Sequence, residues 1–370
     1  MRRTKVVIWG PGRLGGFALR VLLLRPEEFE VVGVFAYSAE KEGRDAGQLV
    51  DLDAIGVTVT RDRQAILATP ADVVVFTPLV GPDPMANHAD AMALLRSGKD
   101  LILAHDYFHP DGISEAFAAE VEAACAEGGS TVFATGSQPG FVAERLATTL
   151  AGHTNEVDHI DILERMDCSG LAPHIYPLLG FGLDPVDFPR DRIIGMFDHM
   201  YRQTPHAVAA TLGQRLDRVE TDATFEVTEH DVGGTSAPVK QGTIAGMAFS
   251  WTGIVDRRPF VTLTCRWVAA RDLPGWEVDD DWVITVEGTP SLRVHYARAL
   301  SFAGGERIGG TRRGPLGEHY QDSQSWTSVA AIVNAIPEVV AAPPGPLFAP
   351  VFAPSMHRRV AAPLPMRGRI

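Results

Sequence analysis

The first third of the chain alternates short apolar runs with amphipathic stretches. Val6–Trp9 (VVIW) is apolar at every position. A glycine-rich turn follows, then the stripe Leu14, Phe17, Ala18, Val21 and Leu22 at helical spacing. Glu30–Tyr37 (EVVGVFAY), Asp72–Thr77 (DVVVFT), Asp100–Ala104 (DLILA) and Thr131–Ala134 (TVFA) read as further strands. Asp62–Ala68, Pro84–Arg96 and Gly112–Glu127 read as the helices between them. Apolar strands alternating with helices predict a parallel sheet covered on both faces. From about Val157 the pattern changes. His159–Arg165, Ala223–Thr228, Gly242–Thr252, Pro259–Trp267, Trp282–Gly288 and Ser291–Ala299 alternate or are rich in β-formers. Helices interrupt them only near Arg190–Tyr201 and His206–Gly213, which predicts a second, mostly antiparallel sheet. Ser325–Ile336 reads as a last helix ended by Pro337, and the proline-rich Pro343–Ile370 as extended chain. The fold class is therefore α/β, a parallel sheet followed by an α+β unit. The expected divisions are residues 1–140, 141–324 and 325–370, the last packing back on the first.

Composition narrows this little but excludes much. At 370 residues two domains are the default. The net charge of −13 argues against nucleic acid and anionic membrane as main partners. Cys125, Cys168 and Cys265 are scattered, which suits a reducing compartment and forms no metal-ligand cluster. No apolar stretch approaches the roughly 20 residues of a membrane span. Met1-Arg2-Arg3-Thr4 runs straight into the first strand, leaving no room for a signal peptide. A cytoplasmic protein is expected.

The turn after the first strand carries the chemistry. Gly10, Gly12 and Gly15 have G-x-G-x-x-G spacing, in strand–turn–helix context. Gly10 makes the tight turn, Gly12 admits a pyrophosphate to the backbone, and Gly15 lets helix and strand pack closely. Arg13 and Leu14 complete the loop, and the helix N-terminus offers N–H groups to the phosphates. This predicts a nicotinamide dinucleotide site. An NAD-binding chain usually places an acid at the tip of the second strand. Here Phe35-Ala36-Tyr37-Ser38 has none, and Ser38, Lys41 and Arg44 suit a 2′-phosphate, so NADP is favoured and NAD stays open. The alternative is a solvated loop, since Glu40 and Glu42 lie in it too. Thr77-Pro78 is expected near the nicotinamide ribose.

Ligands of such sheets sit beyond the carboxyl ends of the strands. There the loop Ala104–Pro110 holds His105, Asp106, Tyr107 and His109, and Gly136–Phe141 (GSQPGF) follows the next strand. Asp106 is the first candidate to handle a proton, with His105, Tyr107 and His109 behind it. The alternative is that Asp106 and His109 only stabilise the loop and cap the next helix. Gln138, Phe141, Glu164, His174 and Tyr176 are candidate substrate-pocket residues. Arg165 could instead pair with Glu164 and Asp167 and leave them without a role. The pocket segments are poor in basic residues and carry Tyr107, Phe108, Phe141, Ile175 and Tyr176, which favours a small, fairly apolar substrate. No nucleophile elbow, P-loop or helical His pair is present, so no metal is expected.

WGPGRLGG (9–16), SAEKEGRDAGQL (38–49), GSQPGF (136–141) and VNAIPEVVAAPPG (333–345) together resemble the dihydrodipicolinate reductase-like proteins. The likeness is to the branch with 2,4-diaminopentanoate dehydrogenase and the native amine dehydrogenases. It implies an N-terminal Rossmann domain binding NAD(P)H, an α+β domain that dimerises through its sheet, and a last helix that returns to the first domain. The basic H-H-x-x-K-type motif by which the reductases bind a dicarboxylate is absent. In the amine dehydrogenase branch a glutamate after the fifth strand acts on the imine nitrogen; here that loop carries Asp106, a shorter carboxylate. The function implied is hydride transfer to a C=N or C=O carbon. A ketone or aldehyde reductase, or a non-catalytic NADP-binding sensor, are the alternatives.

Overall fold

In the computed structural model residues 2–348 are described, apart from 80, 82, 172–174, 234–237, 272, 301 and 303–322. The central strand β1 (Thr4–Trp9) is buried on both sides, Val6 and Ile8 facing one core and Val7 and Trp9 the other. That is why it reads as a continuous apolar run rather than an alternating one. Beside it lie β2 (Phe29–Phe35), β3 (Val59–Thr60), β4 (Val73–Phe76), β5 (Asp100–Leu103) and β6 (Thr131–Ala134). With the late strand β13 (Gly345–Leu347) they form a seven-stranded sheet in the order β13-β6-β5-β4-β1-β2-β3. Every pairing in it is parallel.

Helices α1 (Arg13–Leu23) and α9 (Ser323–Ala341) cover one face, with Phe17, Leu22, Ile332 and Val333 in one cluster. The short α2 (Arg63–Ala68), α3 (His88–Arg96) and α4 (Glu115–Gly128) cover the other through Ile66, Met92, Leu95 and Val121. Asp62 caps α2 by accepting from the amides of Gln64 and Ala65, and Ser114 caps α4 through Phe117 N.

One sequence expectation is corrected here. Pro337 does not end the last helix, which runs on to Ala341. An internal proline costs about 3 kcal/mol. Against it stand Val329, Ile332, Val333, Ile336 and Val339, all buried, at about 1.5–3 kcal/mol each. Burial outweighs the lost backbone bond. The helix then delivers β13 to the edge of β6, so part of the tail expected as extended chain is a strand; residues 349–370 lie outside the described residues.

The chain leaves the first sheet through a helical segment, Ser137–Ala147, whose Gln138–Gly140 have non-helical dihedrals, and continues into α5 (Thr148–Ala151). The second sheet holds β7 (Glu156–Asp167), β8 (Arg218–Val227), β9 (Ile244–Val255), β10 (Arg258–Val268), β11 (Asp281–Thr289) and β12 (Leu292–Ala297). Its order is β12-β11-β7-β10-β9-β8, and only β7 and β10 run parallel. One face packs Ile160, Ile162, Leu263, Trp267 and Ile284 into a core shared with α6 (Tyr176–Leu179), α7 (Arg190–Tyr201) and α8 (Gln203–Thr211). Among the described residues no helix is long and apolar enough to cross a membrane.

Candidate functional site

The strand order reverses between β1 and β4, and the crevice beyond their carboxyl ends is where open α/β sheets receive ligands. The glycine turn lies at its floor. Gly10 has φ +87°, and a Cβ there would stand 2.8 Å from the Thr77 carbonyl oxygen. A Cβ on Gly15 would come under 3.0 Å from both Gly10 O and Thr77 Oγ1. Around Gly12 nothing lies within 4 Å of that position. The protein's own packing thus demands two of the glycines and leaves the middle one facing open space. Gly12 is also the N-cap of α1, which has no side-chain cap and no acid in its first turn. Such an end favours an anion. Thr77 clasps the turn, its amide donating to Trp9 O at 2.8 Å and its hydroxyl to Gly10 O at 3.0 Å. These residues fit the diphosphate bridge of a dinucleotide.

The 2′-phosphate candidates converge on the same corner. Lys41 Nζ donates to Pro11 O at 2.7 Å, which carries its ammonium over the glycine turn. Burial and, after it, the neighbouring Arg44 cation hold the Lys41 pKa below its ordinary value. Glu40 offsets this only in part, so an anion between the two cations would be stabilised. Ser38 Oγ accepts from Glu40 N at 3.3 Å and shapes the turn. Of the acids in the loop, Asp45 is occupied by the amides of Gly47, Ile55 and Gly56, and Glu42 lies 3.7 Å from Arg61. Sequence reading missed Arg61. It reaches the corner through the two-residue β3 and donates from Nε to Tyr37 O at 3.1 Å.

At the end of β5 the chain makes a tight left-handed turn, with φ +56° at Asp106 and +58° at Tyr107. Two consecutive non-glycine residues in this region cost about 1–2 kcal/mol each, a strain that clusters at functional sites. The turn buries Asp106 between two imidazoles. His105 Nδ1 lies 2.9 Å from Oδ2, and His199 Nε2, on α7, 3.5 Å from Oδ1. His105 Nε2 faces Pro78 O at 3.3 Å, which ties the cluster to the end of β4. Beyond β6, Ser137 Oγ and Gln138 Nε2 are buried without a hydrogen-bond partner, while Gln138 Oε1 accepts from Ala143 N at 3.1 Å. Orphaned donors at the sheet's carboxyl edge call for a ligand.

Tyr107 shares one small cavity with His105, Asp106 and His199, and the other candidates separate. Tyr107 is buried against His88 and Phe117, and burial pushes its phenol well above the ordinary range. His109 turns to the other side of the loop, into a cavity of about 220 Å³ with Phe108, Gly140, Glu144 and Phe348. Burial holds its pKa down and brings neighbouring His206 to about 4. Glu144, not anticipated from sequence, is fully buried and accepts from Gly140 N at 2.7 Å and Thr204 Oγ1 at 2.5 Å, tying the exit loop to α8. Phe141 packs near Tyr296 on the second core. Tyr176 is buried, its hydroxyl within 3.2 Å of Cys168 O and 3.3 Å of Ala269 O. His174 lies outside the described residues.

Glu164 sits in the second core, accepting from Trp267 Nε1 at 2.6 Å and Trp282 Nε1 at 2.9 Å. The register of β7 against β11 places Trp282 directly opposite it. Burial raises its pKa despite the two indoles. Arg165 pairs with Asp281 and Asp279, not with Glu164, and Asp167 pairs with Arg271. A glutamine at 164 has one acceptor oxygen for two indole donors. Glu164→Gln is therefore expected to cost about 1–3 kcal/mol, read as a lower Tm and denaturant midpoint; unchanged stability would mean that neither indole depends on the carboxylate.

Residues 4–104 match the family described as dihydrodipicolinate reductase, N-terminus. Over 353 residues the chain is 28% identical to an amine dehydrogenase of Streptomyces virginiae, covering 92% of this chain and 93% of the relative. It is 23% identical over 354 residues to the 2,4-diaminopentanoate dehydrogenase of Acetoanaerobium sticklandii, covering 93% and 92%. The structure of an amine dehydrogenase from Mycobacterium smegmatis superposes with a TM-score of 0.75 at 19% identity, over 94% of this chain and 95% of that one. That likeness establishes the Rossmann-type fold with its second sheet. The sequence relatives and the family match define the class: the protein is an NAD(P)-dependent oxidoreductase. Within that class it is amine dehydrogenase-like in sequence, and the expected resemblance to the dihydrodipicolinate reductase-like proteins is found in the family match over residues 4–104 and in these two relatives.

Proposed function

We propose that the protein uses NADPH to interconvert a C=N carbon and the corresponding amine on a small, fairly apolar substrate. The observation that carries this reading is the buried Asp106 carboxylate, held between His105 and His199 at the edge where β4, β5 and β6 end. An ammonium or iminium nitrogen is the natural partner of such a carboxylate. When bound, the nicotinamide supplies or accepts the hydride. Gly10, Gly12, Arg13, Leu14, Gly15, Thr77 and Pro78 hold the dinucleotide, and Ser137 and Gln138 offer donors to the ligands. Asp106 orients the reacting nitrogen and exchanges its proton. The test is NADPH oxidation with a panel of small apolar ketones and aldehydes, with and without ammonium. Turnover that requires ammonium is expected; equal rates without it would make the protein a carbonyl reductase.

The choice of NADPH rests on Ser38, Lys41 and Arg44. Lys41→Glu with Arg44→Glu is expected to weaken NADPH about tenfold to hundredfold while leaving NADH nearly unchanged, as measured by fluorescence titration. Equal loss for both would place the 2′-phosphate elsewhere. We also propose a homodimer. The face of the second sheet turned away from its core is half-buried, not polar throughout, and carries Leu163, Val283, Thr262 and Thr264. Light scattering reads this directly. The divisions 1–140, 141–324 and 325–370 follow from the same reading.

A further inference from the structure

Asp106 is buried, and each turnover of the proposed reaction moves one proton between the reacting nitrogen and solvent. A buried carboxylate that exchanges a proton needs a route for it. Tyr107 and the N-terminal turns of α3 and α4 provide the groups. The Tyr107 hydroxyl is 2.8 Å from His88 Nδ1, at the start of α3. The other ring nitrogen, His88 Nε2, stands 3.2 Å from Glu120 Oε2 on α4, without the alignment of a hydrogen bond at rest. The Glu120 side chain is 49% exposed, whereas that of His88 is 11% exposed. His88 packs on Phe117, which fixes the ring plane. Asp106, His105, His199, Tyr107 and His88 line one small cavity of about 10 Å³. That is about the room of a single water, and the lining is polar enough to hold it.

Resting on the role given to Asp106 above, we propose that Tyr107, His88 and Glu120 form a proton relay joining the buried Asp106 to solvent through one water in this cavity. When Asp106 has given its proton to the substrate nitrogen, the water passes one to Asp106 and takes the Tyr107 hydroxyl proton. The phenol oxygen takes the His88 Nδ1 proton, and His88 Nε2 takes one from solvent by way of Glu120. One proton enters at Glu120 and one arrives at Asp106; Glu120 keeps its charge, and His88 passes from its Nδ1–H to its Nε2–H neutral tautomer, which reverts by proton exchange with solvent before the next turnover. In the amine-oxidising direction every transfer reverses. Tyr107 acts only as a hydroxyl, in keeping with a phenol that burial makes hard to ionise. Among the described residues, Asp106, His105, His199, Tyr107 and Glu120 are the titratable groups facing the cavity and the ring.

His88→Phe keeps the ring contact with Phe117 and removes both nitrogens. It is expected to lower kcat about tenfold or more, with KM and NADPH affinity within about twofold. The solvent deuterium isotope effect on kcat should rise, and added imidazole should restore part of the rate. Glu120→Gln, at the surface, should give a smaller loss of the same kind if His88→Phe does not fold. Unchanged kcat and isotope effect in these variants, or a loss that imidazole does not relieve, would overturn the relay. Asp106→Asn separates the two ideas. If it inactivates while the relay variants match wild type, only the relay falls; if it stays fully active, the role of Asp106 falls first.

Discussion

Replacing Asp106 by asparagine is expected to lower kcat by about 10²–10⁴-fold. NADPH binding should stay within about threefold of wild type, because the Asp106 carboxyl is engaged by the imidazoles of His105 and His199. The amide keeps the size of the side chain and can accept from His105 Nδ1 through its oxygen. It cannot take a proton or balance a cationic nitrogen. Stability should fall little, since the left-handed dihedrals at 106 suit asparagine as well as aspartate. Steady-state kinetics with ammonium and a ketone, alongside coenzyme titration by fluorescence, check both halves. A variant that retains the wild-type rate would remove the carboxylate from the reaction. A variant that loses coenzyme affinity in parallel would place Asp106 in the dinucleotide site instead.

The second large effect contrasts two glycines three residues apart. Gly12→Val should fold with nearly wild-type Tm and lose NADPH binding by about a hundredfold or more, since its side chain enters space the protein leaves open. Gly15→Ala should act on the protein itself. Its methyl group meets Gly10 O and Thr77 Oγ1, and backbone cannot move aside as a flexible side chain would. Overpacking of this kind typically costs about 1–3 kcal/mol, so Tm should drop even without coenzyme. Thermal melts of the two variants, each with and without NADPH, give a two-by-two comparison. Gly12→Val should show no shift on adding coenzyme. If Gly12→Val still gained stability from NADPH, the turn would not be a diphosphate seat.

The parallel sheet was legible because its strands are buried on both faces, which writes them as runs such as Val6–Trp9 and Val73–Phe76. The shortest strands were not. β3 is two residues long, and β13 is a three-residue edge strand containing Pro346, so neither has a periodicity to read. Pro337 misled for a different reason. Local propensity opposes a helix there, and the decision is taken by an apolar face that meets α1. At the site, Asp106 and His105 were visible because they directly follow an apolar strand. His199 was not, because its contact arises from the docking of α7 against a loop far behind it in the chain. A lone histidine in the last turn of a helix carries no signature of that. Glu164 read as a pocket residue from its charge alone. Its two indole partners come from β10 and β11, and only the strand register brings them together.

The position of β13 has a mechanical consequence. The second sheet is not appended to the first but inserted within it, since the chain departs at Ser137 and comes back with α9 to lay its final strand against β6. Two crossings, not one, therefore join the halves. A single tether would let them tumble freely, whereas a pair confines any opening to a swing about the line between the crossings. The outgoing chain and the returning helix touch where Ser137 N donates to Ser328 Oγ at 3.3 Å, so that line passes beside the carboxyl edge of β6. A jaw pivoting there can admit and release ligands while the floor beneath them stays still.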